Sequence, residues 1–444
     1  MRGAAARRAC EDRSVAARRA RAAEASQTHA RRTSGRLGRG GFMTWSTKDK
    51  DLAVANTQGH TILQPGLLGR GPGVAGITFA PLELFGAMAR CHYTHLINPH
   101  AVTWEVQHMA SLLEQHVDDH SYPFDILSSA DTMKDYVKSY FVGTVAAGIA
   151  YLVMVNDGYV WSDHWENLAG GAPGVTKSPD FVFSSPTHGT ALMESKGTRS
   201  ATTSAFNTTV SNGYDQQVEP HLGQWIGGAQ ATHGYSIGAH LTTTTHASLN
   251  IHHTAVPASV GGGGAAGGTS TSVQRQSFAT AFTLAHGPSL GQQIREGRAQ
   301  QPFVFFRFAW AGRTWVTKSW PGSGVTLGPD PAGQWLSGGP RPRQDFTFAI
   351  QADRAAQALG LFLSPAGEPR FPGDRDADFG EAIGFDKGMS RIRSERGEGT
   401  EGVIFPDGLA VLGDVIVPRM EPVFWDGYSR NFQPIIGGAW RTRF

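Results

Sequence analysis

Two acidic residues and a lysine near the middle of the chain have the types and spacing of a small metal-binding site. Asp180 is followed, fourteen residues later, by Glu194, and Lys196 lies two residues beyond it. Because side chains alternate along a β-strand, Glu194 and Lys196 should point to the same face, and a hairpin can bring Asp180 onto that face. The intervening residues predict such a hairpin, with strands over 181–183 and 191–193 joined by a turn over 185–189.

Two carboxylates and one ammonium group in a small volume favour a bound cation or an anionic substrate, because crowded and buried charges are costly without one. Hard divalent ions such as Mg²⁺ prefer carboxylate oxygens and keep some of their waters. A lysine beside the ion could position or activate an attacking water and stabilise developing charge. The alternative interpretation is an exposed hairpin in which Glu194 and Lys196 form an ordinary ion pair.

The wider pattern is a Pro-Asp dipeptide ending at Asp180, followed by the run Glu194-Ser195-Lys196. It resembles the PD-(D/E)XK nuclease superfamily, which has the restriction-endonuclease-like fold, over roughly residues 130–255. The predicted order of helix, strands bearing the acids, helix and strand agrees with that fold. The resemblance implies that Asp180 and Glu194 coordinate Mg²⁺ or Mn²⁺, with the backbone carbonyl of Ser195 as a further ligand. It also implies that Lys196 orients the water and neutralises charge on the phosphorus.

The same resemblance implies a glutamine near the lysine, carried by the following helix. The candidate helix covers about 209–219 and offers Gln216 and Gln217, of which we prefer Gln217. Many members of the superfamily also place an acidic residue on the first helix, but the corresponding stretch, 143–148, contains none. A missing ligand would weaken metal binding and is typical of an inactive member that only binds.

Two functional hypotheses from different classes follow. The resemblance implies a metal-dependent phosphodiester hydrolase that acts on nucleic acid, DNA rather than RNA, in a bacterial defence, repair or mobile-element setting. The alternative is a non-catalytic interaction protein that uses an inactive restriction-endonuclease-like fold as a scaffold. A third hypothesis is a secreted or injected toxin effector.

The distribution of charge and of cysteine limits the function classes. Eleven arginines lie in residues 1–41, which leaves 28 basic against 34 acidic residues in the rest of the chain. This excludes a generally basic nucleic-acid binder, so any contact with nucleic acid would need a local patch or metal ions. The two cysteines, Cys10 and Cys91, exclude a disulfide framework and a cysteine-rich zinc site, and they indicate a reducing, cytoplasmic location.

Two other features have both a structural and a functional interpretation. The apolar run 140–155 is shorter than a membrane span, and it predicts a helix buried in the core with no membrane partner. His246 and His252 lie on a predicted strand over 235–252, where they would share a face. No third zinc ligand occurs at close spacing, so we expect ordinary strand histidines.

The predicted fold class is α+β: a restriction-endonuclease-like α/β core, preceded by a helical region and followed by a separate mixed α/β domain. Polyanion binding, a targeting peptide and a translation start at Met43 are three interpretations of the basic tail, and we favour Met43. The glycine-rich segment after the core predicts the main boundary. The expected divisions are a basic tail over 1–42, an irregular and helical region over 43–128, the nuclease-like domain over 129–257, a linker over 258–271 and a C-terminal domain over 272–444.

Overall fold

Two β-sheets, with helices packed against them, make up the part of the chain that the computed structural model describes. This part belongs to one unit, Thr44–Phe444. The predicted basic tail lies outside the described residues. The structure describes residues 45, 48–92, 99–168, 177–199, 201–242, 246–256, 269–298, 303–318, 346–363, 384–393, 400–413, 420–426 and 430–435.

The first sheet is mixed and carries the acidic hairpin. Its strands are β1 (Lys50–Thr61), β2 (Gly76–Phe79), β3 (Trp161–His164), β4 (Phe181–Ser185), β5 (Gly189–Thr198), β6 (Trp225–Ile226), β7 (Ala229–His240) and β8 (Ser248–Ala255). They lie in the order β2-β1-β8-β7-β5-β4-β3, and the short β6 pairs with β7. The predicted strands at 181–183 and 191–193 are confirmed as parts of β4 and β5.

Eight α-helices occur in the described residues. They are α1 (Pro81–His92), α2 (Pro99–His116), α3 (Asp135–Asn156), α4 (Trp165–Leu168), α5 (Thr203–Gly213), α6 (Thr271–His286), α7 (Pro288–Glu296) and α8 (Ala352–Phe362). By length and composition alone α3 could cross a membrane, but 72% of its most apolar stretch is buried inside the protein. Helix α3 contains the apolar run that predicted a core helix, and the structure buries it accordingly.

One succession of elements positions the acidic hairpin. After α3, strands β3, β4 and β5 form an antiparallel meander, and β7 lies parallel to β5. Parallel neighbours need a crossover, which α5 supplies together with a π-helical turn, Tyr214–Val218. The single helix predicted over 209–219 is therefore the end of α5, this π turn and a short 3-10 turn, Glu219–His221.

The second sheet is formed by the C-terminal part of the chain and is antiparallel. Its strands are β9 (Val304–Trp310), β10 (Arg313–Thr317), β11 (Phe346–Gln351), β12 (Ser390–Arg393), β13 (Thr400–Ile404), β14 (Leu409–Gly413), β15 (Glu421–Asp426) and β16 (Asn431–Pro434). They lie in the order β12-β13-β14-β11-β10-β9-β15-β16.

The C-terminal elements share one hydrophobic core with the first sheet, where we had expected a separate domain. Arg90 of α1 forms a buried ion pair with Asp407, between β13 and β14, at N–O distances of 2.6 and 2.7 Å. The backbone N–H of Ser270, at the start of α6, donates to Ser184 Oγ of β4 at 3.0 Å. Most of the predicted linker, residues 258–268, lies outside the described residues.

Two parts of the first sheet differ from the sequence expectation. The region before residue 80, expected to be irregular, contributes β1 and β2, and β1 lies parallel to β8. The single strand expected over 235–252 is an antiparallel pair, because β7 ends at His240 and β8 begins at Ser248. The pairing of β1 with β8 joins distant segments of the chain, which local side-chain periodicity does not encode.

Candidate active site

The hairpin of β4 and β5 brings the predicted acidic residues together. Asp180 directly precedes β4, and its backbone N–H donates to Glu194 Oε2 on β5 at 3.1 Å. The Asp180 carboxylate in turn accepts from the backbone N–H of Ser195 at 2.9 Å and from its hydroxyl at 2.7 Å. These reciprocal hydrogen bonds fix the start of β4 against β5 and hold the two acidic residues next to each other.

Glu194 is the most strongly perturbed acid of this group. Its residue is 1% exposed. Burial, with the negative charge of Asp180 as the second cause, raises the pKa of Glu194 to about 8, and Lys196 only partly offsets these two effects. A divalent cation would remove this penalty, since it would stabilise the ionised form that burial disfavours.

Lys196 shares the face of Glu194, as the alternation of a strand predicts. Its ammonium forms an ion pair with the Glu194 carboxylate and donates to Gln217 Oε1 at 2.9 Å. The Gln217 amide donates to the backbone carbonyl of Ser178 at 3.0 Å, which ties the π turn to the segment before β4. We define Asp180, Glu194, Ser195, Lys196 and Gln217 as the carboxylate cluster.

The two candidate glutamines occupy different environments. Gln217 lies inside the carboxylate cluster, whereas the exposed Gln216 accepts a hydrogen bond from Lys177 Nζ at 2.6 Å. Neighbouring side chains of a helical turn point in different directions, and here the π turn Tyr214–Val218 sets which one reaches Lys196. The geometry therefore agrees with the preference for Gln217.

Sequence reasoning missed Ser236, which lies on β7 opposite Glu194. Ser236 is fully buried, and its hydroxyl has no hydrogen-bond partner among the residues that the structure describes. Gly234 and Gly238 flank it on the same face of β7, where they let Val218 and α5 approach the strand closely. This alternation of glycine, serine and glycine within a strand is the signal that could have identified the position.

The first helix adds no acid to this cluster. Gly197 of β5 packs against Val142 and Ala146 of α3, so the stretch 143–148 meets the sheet through small apolar contacts. Asp163, an acid that follows α3 in the chain and lies in β3, accepts a hydrogen bond from the side-chain amide of Asn167 at 2.8 Å. Within the described ranges, no group of three or more His, Cys, Asp and Glu side chains is placed to hold a metal ion.

The histidines expected on one strand lie apart. His246 lies before β8, is exposed and contacts Asp125 at 2.8 Å, whereas His252 is buried within β8. The expectation that these two side chains share one face of a single strand is therefore wrong, because β8 begins at Ser248 and only His252 belongs to the sheet.

His252 belongs to a second polar group, the histidine cluster, which consists of Asn56, His60, Asn207, Asp215 and His252. His60 Nδ1 lies 3.0 Å from Asp215 Oδ1, and His60 Nε2 lies 2.7 Å from His252 Nδ1. His252 Nε2 lies 3.1 Å from Asn207 Oδ1, which also accepts from Asn56 Nδ2 at 2.6 Å. Burial, with His60 as the second cause, lowers the pKa of His252 to about 4.

Comparison with known proteins finds no matching family model, no matching curated protein and no matching solved structure. The side chains themselves are what bear on function. Two carboxylates, of which Glu194 is buried, meet a lysine and a glutamine, and beside them lies a hydroxyl that has no hydrogen-bond partner among the described residues. Carboxylate oxygens suit a hard divalent cation, and two acids leave room in its coordination shell for water and a phosphate oxygen.

Proposed function

We propose that this chain is a metal-dependent phosphodiester hydrolase of the PD-(D/E)XK type that acts on nucleic acid. The observation that carries the proposal is the buried Glu194, held against Asp180 and paired with Lys196. The succession of α3, an antiparallel meander, a helical crossover and the parallel β7 supports it, because this is the element order that the resemblance implies.

Asp180 and Glu194, with the backbone carbonyl of Ser195, would hold Mg²⁺ or Mn²⁺. When bound, the cation would supply positive charge to the phosphate oxygens and lower the pKa of a coordinated water. Lys196 would hold the attacking water and offset charge at the phosphorus, while Gln217 fixes the direction of its ammonium. The bond from Gln217 to Ser178 makes the π turn part of this support.

The substrate class follows from charge as well as from the resemblance. The chain beyond residue 41 carries an excess of acid, so a phosphate backbone needs a local source of positive charge. Lys196 and a bound cation would provide it at the cluster. DNA is the substrate that we propose, RNA being the second choice.

A second candidate function is a binding-only protein with the same fold. It is favoured by one observation: within the described residues only two acids meet at the site, and α3 contributes none. In that case the cluster would bind a partner phosphate without cleaving it, and cleavage assays separate the two functions.

The test compares two lysines of one neighbourhood. Purified full-length wild type, Lys196→Met, Lys177→Met and Asp180→Asn are incubated with plasmid DNA and with RNA, in Mg²⁺, Mn²⁺ or chelator. We expect cleavage only with metal, a loss of about a thousandfold for Lys196→Met and Asp180→Asn, and a change within about threefold for Lys177→Met. Equal cleavage by all four proteins would identify a contaminating nuclease, and no cleavage by wild type under any condition would favour the binding-only function.

A further inference from the structure

The buried hydroxyl of Ser236 has no hydrogen-bond partner in the described part of the chain. Proteins rarely leave such a group unpaired, because a buried hydroxyl without a partner has lost its hydrogen bonds to water and gained none in return. Alanine would remove this cost with almost no change in volume. A serine at this position therefore needs a reason that the metal-free arrangement does not supply.

Two side chains beside Ser236 belong to the carboxylate cluster, so we look for the role of its hydroxyl there. A β-carbon on Gly213, the last residue of α5, would lie 2.8 Å from Ser236 Oγ, 3.1 Å from Lys196 Cε and 3.4 Å from Glu194 Cγ. Glycine at this position therefore lets the hydroxyl, the lysine stem and the glutamate stem meet around one point. On its other side Ser236 pairs with His252 of β8.

The groups around the hydroxyl differ in what they still offer. Both ring nitrogens of His252 already have partners, His60 and Asn207. The Lys196 ammonium has three N–H donors, and among the described residues it is bound to Glu194 and Gln217. Lys196 is therefore the neighbour that can use an additional oxygen acceptor.

We propose that Ser236 is a positioning residue that receives the Lys196 ammonium when a divalent cation takes the Glu194 carboxylate. This inference rests on the proposed function, in which Glu194 becomes a metal ligand. The ammonium then loses its carboxylate partner and needs a neutral acceptor that does not compete for the metal. A serine hydroxyl meets this requirement, and with Gln217 on the other side it keeps the ammonium directed at the attacking water.

This role has a signature that a merely structural serine does not give. Without metal, Ser236→Ala removes an unsatisfied group, so the thermal unfolding midpoint should rise above that of wild type. With saturating Mg²⁺ the hydroxyl has its partner in wild type, so the advantage of the variant should disappear or reverse. Cleavage should fall at least tenfold in kcat with little change in KM, since the substrate itself does not contact Ser236.

Ser184→Ala is the matched control. Ser184 is also a fully buried serine of the first sheet, but its hydroxyl accepts from the backbone N–H of Ser270 at 3.0 Å. Its removal should lower the unfolding midpoint equally with and without Mg²⁺ and leave kcat unchanged. Ser236→Cys, which keeps the shape but is a poor acceptor, should lose cleavage to a similar extent as Ser236→Ala and guards against an effect of volume.

The outcomes separate this inference from the proposed function. Wild-type cleavage together with an unchanged kcat in Ser236→Ala would overturn the role of Ser236 and leave the hydrolase proposal standing. A loss of stability in Ser236→Ala that is the same with and without Mg²⁺ would likewise overturn it. Absence of metal-dependent cleavage and of any Mg²⁺ effect on unfolding in wild type would overturn both.

Discussion

The same π turn contributes a residue to the carboxylate cluster and a residue to the histidine cluster, yet the two clusters differ in how well their buried polar groups are hydrogen-bonded. Asp215 of this turn contacts His60 of β1, and Gln217, two residues later, contacts Lys196 of β5. In the histidine cluster all four ring nitrogens of the two histidines have partners. The carboxylate cluster contains an unfavourably buried acid and, beside it, the Ser236 hydroxyl, which has no hydrogen-bond partner in the described ranges.

This difference distinguishes a network that supports the fold from a candidate for function. A satisfied network connects β1, β8, α5 and the π turn through hydrogen bonds, and it leaves little for a ligand to improve. A cluster with a perturbed acid gains free energy when a ligand of the right charge arrives. The carboxylate cluster is the functional candidate because its buried acid and its hydroxyl carry a free-energy cost that the protein alone does not offset, and not merely because it is polar.

The two clusters should also respond to pH with opposite signs. The pKa of Glu194 is raised from about 4.5 to about 8, so the stability linked to its protonated form is complete below pH 4.5 and is lost as the pH rises through 8. The pKa of His252 is lowered from about 6.5 to about 4, so the stability linked to its neutral form is present above pH 6.5 and is lost as the pH falls through 4.

The largest expected effect is a pH dependence of metal affinity that belongs to the carboxylate cluster alone. Because a proton must leave Glu194 before its carboxylate can coordinate, the affinity for Mn²⁺ should rise about tenfold per pH unit below pH 8 and level off above it. Titration calorimetry at several pH values, in buffers of different ionisation enthalpy, measures both the affinity and the released proton. Binding that is independent of pH between 6 and 8 would contradict the assignment of Glu194 as a ligand.

Two variants act as controls for this titration. Glu194→Gln should bind Mn²⁺ weakly and without this pH dependence. His252→Ala, in the histidine cluster, should keep the slope of wild type, since His252 is not a proposed ligand. A slope that disappears in His252→Ala would show that the two clusters titrate as one, which would remove the distinction between them.

The sequence predicted those parts of the site that depend on local rules. Strand alternation placed Glu194 and Lys196 on one face, and the turn between the strands returned Asp180 to them. The glutamine remained a choice between two neighbours, because the π turn that decides it has no clear local signature. The local sequence pattern therefore located the hairpin, but it could not determine which side chain of the π turn points toward Lys196.

The parts that were missed depend on contacts between distant segments. Ser236 lies beside the carboxylate cluster only because β7 pairs in parallel with β5 and Gly213 packs closely against both strands. Nothing in the sequence indicates a role for His60, because β1 and β8 are far apart in the chain and are neighbours only in the folded sheet. The buried pair of Arg90 and Asp407, which connects α1 to the second sheet, likewise spans most of the chain. Tertiary pairing, not composition, decides these positions.

The next prediction tests whether the histidine cluster serves the fold alone. His252→Ala leaves His60 Nε2 without its partner, removes one of the two hydrogen-bond partners of Asn207 Oδ1 and creates a cavity, so it should lower the unfolding free energy at pH 7 by about 2–3 kcal/mol. It should also reduce the loss of stability between pH 6.5 and pH 4. Urea unfolding at several pH values measures both quantities, and cleavage by the folded variant should stay within about threefold of wild type. A greater loss of cleavage would give the histidine cluster a part in the chemistry.

The smallest expected effect compares adjacent glutamines of the π turn. Gln217→Met keeps the length of the side chain but removes the acceptor for Lys196 and the donor to Ser178, so kcat should fall about tenfold, the value of one hydrogen bond to a charged group. Gln216→Met removes only an exposed contact with Lys177 and should change kcat by less than about twofold. Steady-state cleavage of one DNA substrate at saturating Mg²⁺ measures both. Equal losses of kcat would show that both glutamines act only through the conformation of the π turn. A larger loss for Gln216→Met would show that Gln216, beside Lys177, and not Gln217 supports the site.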